Sequence, residues 1–101
     1  FLPLYSSSIN VNTISKNVIL GEGVSIISGT IINTGTKIGN HCLINTKSLI
    51  DHDNKFEDFS STGPGAITGG NVKVGKRSHL GIGSVIKNGM NIIGVETPHK
   101  M

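Results

Sequence analysis

The stretch Ile31-Ile32-Asn33-Thr34-Gly35-Thr36-Lys37-Ile38-Gly39-Asn40-His41-Cys42-Leu43-Ile44-Asn45-Thr46-Lys47-Ser48-Leu49-Ile50 repeats a pattern every six residues. A large aliphatic returns at Ile32, Ile38, Ile44 and Ile50, and a small residue follows four places later at Thr36, Cys42 and Ser48. Extended in both directions, the first series begins Ile14, Leu20, Ile26 and continues Phe56, Thr62, Thr68, Val74, Leu80, Ile86, Ile92. Fourteen positions carry twelve large apolar side chains and two threonines, with no insertion. The second series runs Val18, Val24, Thr30, Thr36, Cys42, Ser48, Asn54, Ser60, Ala66, Val72, Ser78, Ser84, Met90, and most of its members are small. Glycine is phased too, one residue after the aliphatic (Gly21, Gly39, Gly63, Gly69, Gly75, Gly81) or three after it (Gly23, Gly29, Gly35, Gly65, Gly83, Gly89).

A helix needs apolar positions at a spacing of 3.6, which a strict period of six does not supply. Short strands separated by turns do fit, since the aliphatic positions are rich in β-branched residues and the phased glycines suit turns. Each six-residue rung sends one large and one small side chain inward. Three rungs close a triangular coil of 18 residues, and coils stack at about 4.8 Å, the strand spacing of a sheet. The expected fold class is all-β, a parallel β-helix with the section of a triangular prism. Residues 14–92 make about four coils; 1–13 form a lead-in or cap, and 93–101 a tail that has lost the repeat.

Composition agrees. With 101 residues the chain makes one domain. Apolar residues are 36% and aromatics 4%, with no Trp, too little bulk for a wide core but enough for many thin, similar layers. The net charge of +3 is far from the dense basic stripe of a nucleic-acid binder, so no nucleic-acid partner is expected. Asp51, Asp53, Glu57 and Asp58 cluster together, whereas Lys73, Lys76, Arg77, Lys87 and Lys100 lie later. These later cations either form a solvated surface or meet the phosphates of a ligand. Cys42 is the only cysteine, which excludes an intrachain disulfide, and it falls in the small inward series. Nothing reads as a signal peptide or a spanning segment, so no membrane partner and a cytoplasmic location are expected.

A repeat specifies a fold and leaves function to its departures. The densest departure is Asp51-His52-Asp53-Asn54-Lys55-Phe56-Glu57-Asp58-Phe59. A histidine between two carboxylates can be oriented and made more basic by one of them, although a solvated surface histidine looks the same in sequence. Asn54 takes an inward slot, where its amide needs partners. Residues 18 apart lie above one another, so Gly70 is the upper neighbour of His52 and Thr34 the lower.

The hexad resembles the signature of hexapeptide-repeat acyltransferases: an aliphatic, often Gly, two variable residues, a small residue and one more. That resemblance spans residues 14–92 and implies a left-handed β-helix, against the usual right-handed crossover rule. Over about 38–92 the segments 39–46, 50–53 and 69–75 resemble the bacterial sugar acetyltransferases of the sialic-acid O-acetyltransferase and bacillosamine N-acetyltransferase type. The resemblance implies an acetyl-CoA-dependent sugar O- or N-acetyltransferase with no metal. The acceptor would be an amino sugar, a sialic acid or a nucleotide sugar. His52 would be the general base and Asp53 would orient it, with Asp51 as the fallback. Gly70 would bind the acetyl group, its N–H donating to the developing oxyanion, and Asn45 would contact the ligand. A homotrimer with sites in grooves between prisms is implied as well.

There are departures. The second histidine that bacillosamine-type enzymes carry nine residues after the base is here Ser61, with His79 one coil above it. The N-terminal Rossmann-like domain and the further coils of that family have no counterpart in these 101 residues, so a shortened version or a fragment is expected. Two other readings compete. A γ-carbonic-anhydrase-like metal enzyme would need a histidine cluster, but His41, His52, His79 and His99 fall in different phases of the repeat. A non-catalytic β-helix assembly module would need no site.

Overall fold

The computed structural model describes residues 12–96 and the backbone of Leu4–Tyr5. Most of the expected lead-in and the last part of the tail lie outside these residues. Sixteen two-residue strands follow one another: β1 (Leu4–Tyr5), β2 (Thr13–Ile14), β3 (Ile19–Leu20), β4 (Ser25–Ile26), β5 (Ile31–Ile32), β6 (Lys37–Ile38), β7 (Leu43–Ile44), β8 (Leu49–Ile50), β9 (Lys55–Phe56), β10 (Ser61–Thr62), β11 (Ile67–Thr68), β12 (Lys73–Val74), β13 (His79–Leu80), β14 (Val85–Ile86), β15 (Asn91–Ile92) and β16 (Val95–Glu96). Every third strand pairs in parallel, giving three sheets, β1-β4-β7-β10-β13-β16, β2-β5-β8-β11-β14 and β3-β6-β9-β12-β15. The chain is therefore all-β, a left-handed parallel β-helix of about five turns. The count exceeds the expected four because β1 and β16 each add a rung outside the 14–92 repeat.

Register from β2 to β15 is a constant 18 residues, as in Ile32↔Ile50 and Ile38↔Phe56. The backbone N–H of one coil donates to a carbonyl of the next, as in Ile31 to Ser48 and Asn33 to Ile50, both 2.9 Å. At the ends the phase slips. Tyr5 pairs with Ile26, 21 residues on, and Leu80 with Glu96, 16 residues on.

Both inward series are buried from Val24 to Ile86, and the large series remains buried at Ile92. Met90, the last member of the small series, is 45% exposed, and among the described residues no further rung lies over it. Several buried hydroxyls donate to turn carbonyls, and others, such as Thr68 and Ser78, accept backbone N–H groups. Thr30 donates to Ile27 O (2.7 Å), Ser60 to Glu57 O (2.7 Å) and Ser84 to Gly81 O (2.8 Å). Small polar residues can thus sit inside at no loss of hydrogen bonding. Cys42 belongs to this layer, and burial pushes its thiol pKa up.

The third residue after each aliphatic is left-handed at every turn from Gly23 to Gly89. Where it is not glycine it is His41, Lys47, Asp53, Phe59, Asn71 or Arg77, with φ between 54° and 62°. An L-residue there costs roughly 1–2 kcal/mol, so the stacked coils impose the conformation on side chains that would not choose it.

Candidate active site

The turns form three corners. His52 lies on the corner made by residues 51–54, stacked between turns 33–36 and 69–72. Its coil is tied to its neighbours by Asp53 N–H to Thr34 O (2.9 Å) and Asn71 N–H to His52 O (3.0 Å).

The two flanking acids divide the work. Asp53 Oδ2 lies 2.9 Å from His52 Nδ1, with both side chains about half exposed. An ionised carboxylate only accepts, so Nδ1 carries the hydrogen, and in the neutral imidazole Nε2 is left with its lone pair. The Asp53 hydrogen bond, opposed by desolvation and helped to a smaller extent by the charges of Asp51 and Asp53, raises the His52 pKa above its ordinary 6.5. Asp51 does not touch the ring. Its Oδ1 accepts the His52 backbone N–H (2.8 Å) and Asn33 Nδ2 (3.1 Å). Those two donors, the Asn33 amide foremost, hold the Asp51 carboxyl below its usual range. Asp51 thus fixes the main chain that carries the histidine, and Asp53 faces the ring.

Each member of the pair needs a glycine in an adjacent coil. A Cβ on Gly70 would run into the His52 ring at Nε2, and a Cβ on Gly35 would run into the Asp53 carboxylate. Gly70 therefore lies against the free nitrogen, as the 18-residue count requires. Its N–H, however, is taken: it donates to Asn88 Oδ1 at 3.0 Å. The expectation of a free oxyanion donor is altered to that extent, because the asparagine one coil higher supplies an acceptor.

Asn54 closes the arrangement from inside. Its Nδ2 donates to Asp51 O (3.1 Å), His52 O (3.1 Å) and Gly69 O (2.9 Å), while its buried Oδ1 has no partner. Of the amide that needed partners, the nitrogen finds them in the backbone of the His52 turn and the turn above, and the oxygen does not. Replacing it with alanine removes the donor from three carbonyls and is expected to lower stability by about 1–3 kcal/mol. Urea unfolding of Asn54→Ala measures this, and a loss under about 0.5 kcal/mol would show that the bonds do not hold the turn.

Other expected residues are not brought here. Asn45 stands on the preceding corner, separated from His52 by β8. Its N–H donates to Thr62 Oγ1 (2.9 Å) and its Oδ1 accepts Thr46 N–H (2.7 Å), so it builds its own turn. His79 meets Ser61 (Nδ1 to Oγ, 2.7 Å) on the face of the β1-β4-β7-β10-β13-β16 sheet, opposite the His52 corner. His41 stacks on Phe59 (5.2 Å between ring centroids) on the third corner, with Arg77 over the same ring. His99 lies outside the described residues, among which no group of His, Cys, Asp or Glu is placed to hold a metal. Asn33, Gly35 and Asn88 were not singled out from sequence, although 18-residue steps from Asp51, Asp53 and Gly70 lead to them.

No protein-family model matches the chain. GDP-perosamine N-acetyltransferase of Escherichia coli O157:H7 is 30% identical over 79 residues, which are 78% of this chain and 36% of that protein. A mutant GDP-perosamine N-acetyltransferase from Caulobacter crescentus, solved in complex with CoA and GDP-perosamine, superposes with a TM-score of 0.69 at 28% identity, covering 85% of this chain and 47% of the other. The acetyltransferase domain of PglB from Neisseria gonorrhoeae FA1090, in complex with acetyl coenzyme A, shares the fold with a TM-score of 0.64 at 20% identity, over 94% of this chain and 51% of that one. In sequence and fold the chain is similar to sugar N-acetyltransferases of the hexapeptide-repeat type. It spans a third to a half of the length of these proteins.

Proposed function

We infer that the chain carries the acetyl-transfer centre of an acetyl-CoA-dependent sugar O- or N-acetyltransferase, with His52 as general base. The observation that carries the reading is the His52–Asp53 pair, whose free Nε2 lies against a glycine that offers no side chain. The likeness to enzymes solved with CoA and a nucleotide sugar supports it.

Acetyl-CoA, when bound, presents a thioester carbonyl. His52 Nε2 takes the proton of the acceptor amine or hydroxyl as that group attacks the carbonyl carbon and the new C–N or C–O bond forms. Asp53 stabilises the imidazolium through Nδ1. As the C–S bond breaks, His52 returns the proton to the departing sulfur. For Gly70 N–H to meet the oxyanion, the Asn88 side chain turns aside, trading one acceptor for another. Asn45 stays in the proposal as a ligand contact only if the ligand reaches across β8 or comes from a neighbouring prism. A nucleotide sugar or related amino sugar is the acceptor class.

The test is release of free thiol from acetyl-CoA with a panel of amino sugars and nucleotide sugars. Acceptor-dependent release that His52→Ala abolishes is the expected result. Equal release by both proteins, or none by either, overturns the catalytic assignment and leaves an assembly module.

We also infer a homotrimer. The outer face of the β2-β5-β8-β11-β14 sheet presents Ile31, Leu49, Ile67 and Val85 in one column, with Ile67 39% and Val85 74% exposed. It flanks the His52 corner, and a thin solenoid gains most by covering such a face with another copy. Val85→Asp is expected to shift the sedimenting species from trimer to monomer at micromolar concentration; a wild-type monomer would refute the trimer. A cytoplasmic setting belongs to the same reading, in keeping with a single buried thiol.

A further inference from the structure

The outer face of the β3-β6-β9-β12-β15 sheet is basic. Lys37, Lys55 and Lys73 lie in register one above another, at successive coils. Like charges directly opposite on a sheet repel, so a lysine column costs stability unless something anionic covers it. Nearby acids neutralise it only in part. Glu57 pairs with Lys73 at 3.7 Å, and Asp58 Oδ1 accepts the Asn40 N–H at 2.9 Å. Among the described residues no carboxylate comes within ion-pair distance of Lys37, Lys55 or Lys76.

These three cations line one groove, of about 250 Å³. Its walls also include the turn at Gly39, where a Cβ would strike Asp58. Glu57 and Asp58 line the groove as well; with Glu57 set against Lys73 and Asp58 against one lysine of the groove, two positive charges remain unmatched. The volume falls below that of a site for a whole drug-sized ligand, roughly 300–1,000 Å³. It suits a compact, multiply charged group whose remaining part lies outside. Lysine binds phosphate as a mobile point charge and needs no fixed fork geometry.

We propose that the Lys37–Lys55–Lys76 groove is a binding site for the diphosphate portion of a ligand, separate from the His52 corner. It lies at the far end of β9 from His52, beside residues 57–58. The proposal does not depend on the acetyl-transfer reading, because the site is defined by charge and shape alone. Both a nucleoside diphosphate and CoA carry the group.

The test is calorimetric titration of the whole chain with inorganic pyrophosphate at low ionic strength. Saturable binding that weakens as salt is raised is expected. Lys55→Met should weaken it about tenfold, and Lys37→Met with Lys55→Met about a hundredfold. Lys47→Met, which removes the same charge from another corner, should leave it within about twofold. All these side chains are exposed, so the variants should fold, and Lys55→Met should unfold no earlier than wild type. Parallel titrations with GDP and CoA identify the source of the diphosphate. Absence of pyrophosphate binding by wild type, or equal weakening by Lys47→Met and Lys55→Met, overturns the proposal. His52→Ala should retain pyrophosphate binding, so failure of this site and failure of the acetyl-transfer reading are separable.

Discussion

With His52 as the proposed general base of acetyl transfer, His52→Ala should lower kcat about 10²–10⁴-fold, the usual contribution of such a group. Stability should be essentially unchanged, because the side chain is half exposed and no core contact is lost. Acetyl-CoA binding, measured separately, should survive. Proton transfer and folding are thereby distinguished: a variant that lost activity together with its melting transition would not support the assignment. The pH dependence carries the same information. The base form exists only above the His52 pKa, which Asp53 raises above the ordinary 6.5. The rate should therefore climb with pH through an apparent value above 6.5, and Asp53→Asn should move the rise to lower pH while reducing the plateau. For stability the sign is opposite. A raised folded-state pKa gives stabilisation that is fully present below the unfolded value and lost as pH rises through the folded one. The pairing therefore adds nothing to stability at a pH above the folded-state pKa, where the base form predominates. A rate profile unchanged by Asp53→Asn would show that the carboxylate does not act on the ring.

Phe56→Ala should cost about 3–5 kcal/mol, the range for deleting a buried aromatic side chain. Among the described residues Phe56 is the largest fully buried side chain, and it stands between Ile38 and Val74 in the inward column. A narrow prism with a single large residue per rung has little beside it that can collapse into the gap. Against a total of about 5–15 kcal/mol for a typical domain, the loss takes a large share. Thermal unfolding followed by circular dichroism should show a fall in Tm of more than about 10 °C. The rungs on either side carry the His52 turn and the lysine groove, so activity and pyrophosphate binding should fail at lower temperature as well. A shift of only 1–2 °C would mean that the coils repack around the missing ring.

The architecture was legible because the period is strict. From Ile14 to Ile92 nothing interrupts the count, so distance along the chain converts directly into position in space. The inward columns, the parallel register of 18 and the placement of Gly70 against His52 all follow from counting. The extra rungs did not follow, because β1 and β16 pair at offsets of 21 and 16, where the count no longer applies. The outer faces are as periodic as the inner ones, yet a solvent-facing position accepts almost any residue. A column such as Lys37, Lys55 and Lys73 therefore stands out only once the sheet is assembled.

By itself the sequence determined that this protein is a stack of triangular coils with a histidine between two acids at one corner and a glycine against it. Tertiary structure alone decided how the groups on that corner are used. Asp53 reaches the ring from a left-handed turn position, φ 54°, whereas Asp51 precedes the turn and binds the backbone. The Asn54 amide joins two turns, and Asn88 takes the Gly70 N–H. The reason is physical. A period records which side of the chain is buried, an average property of each position. Which acceptor a given hydrogen finds depends on one torsion and about half an ångström, and it is settled only when neighbouring coils are in contact.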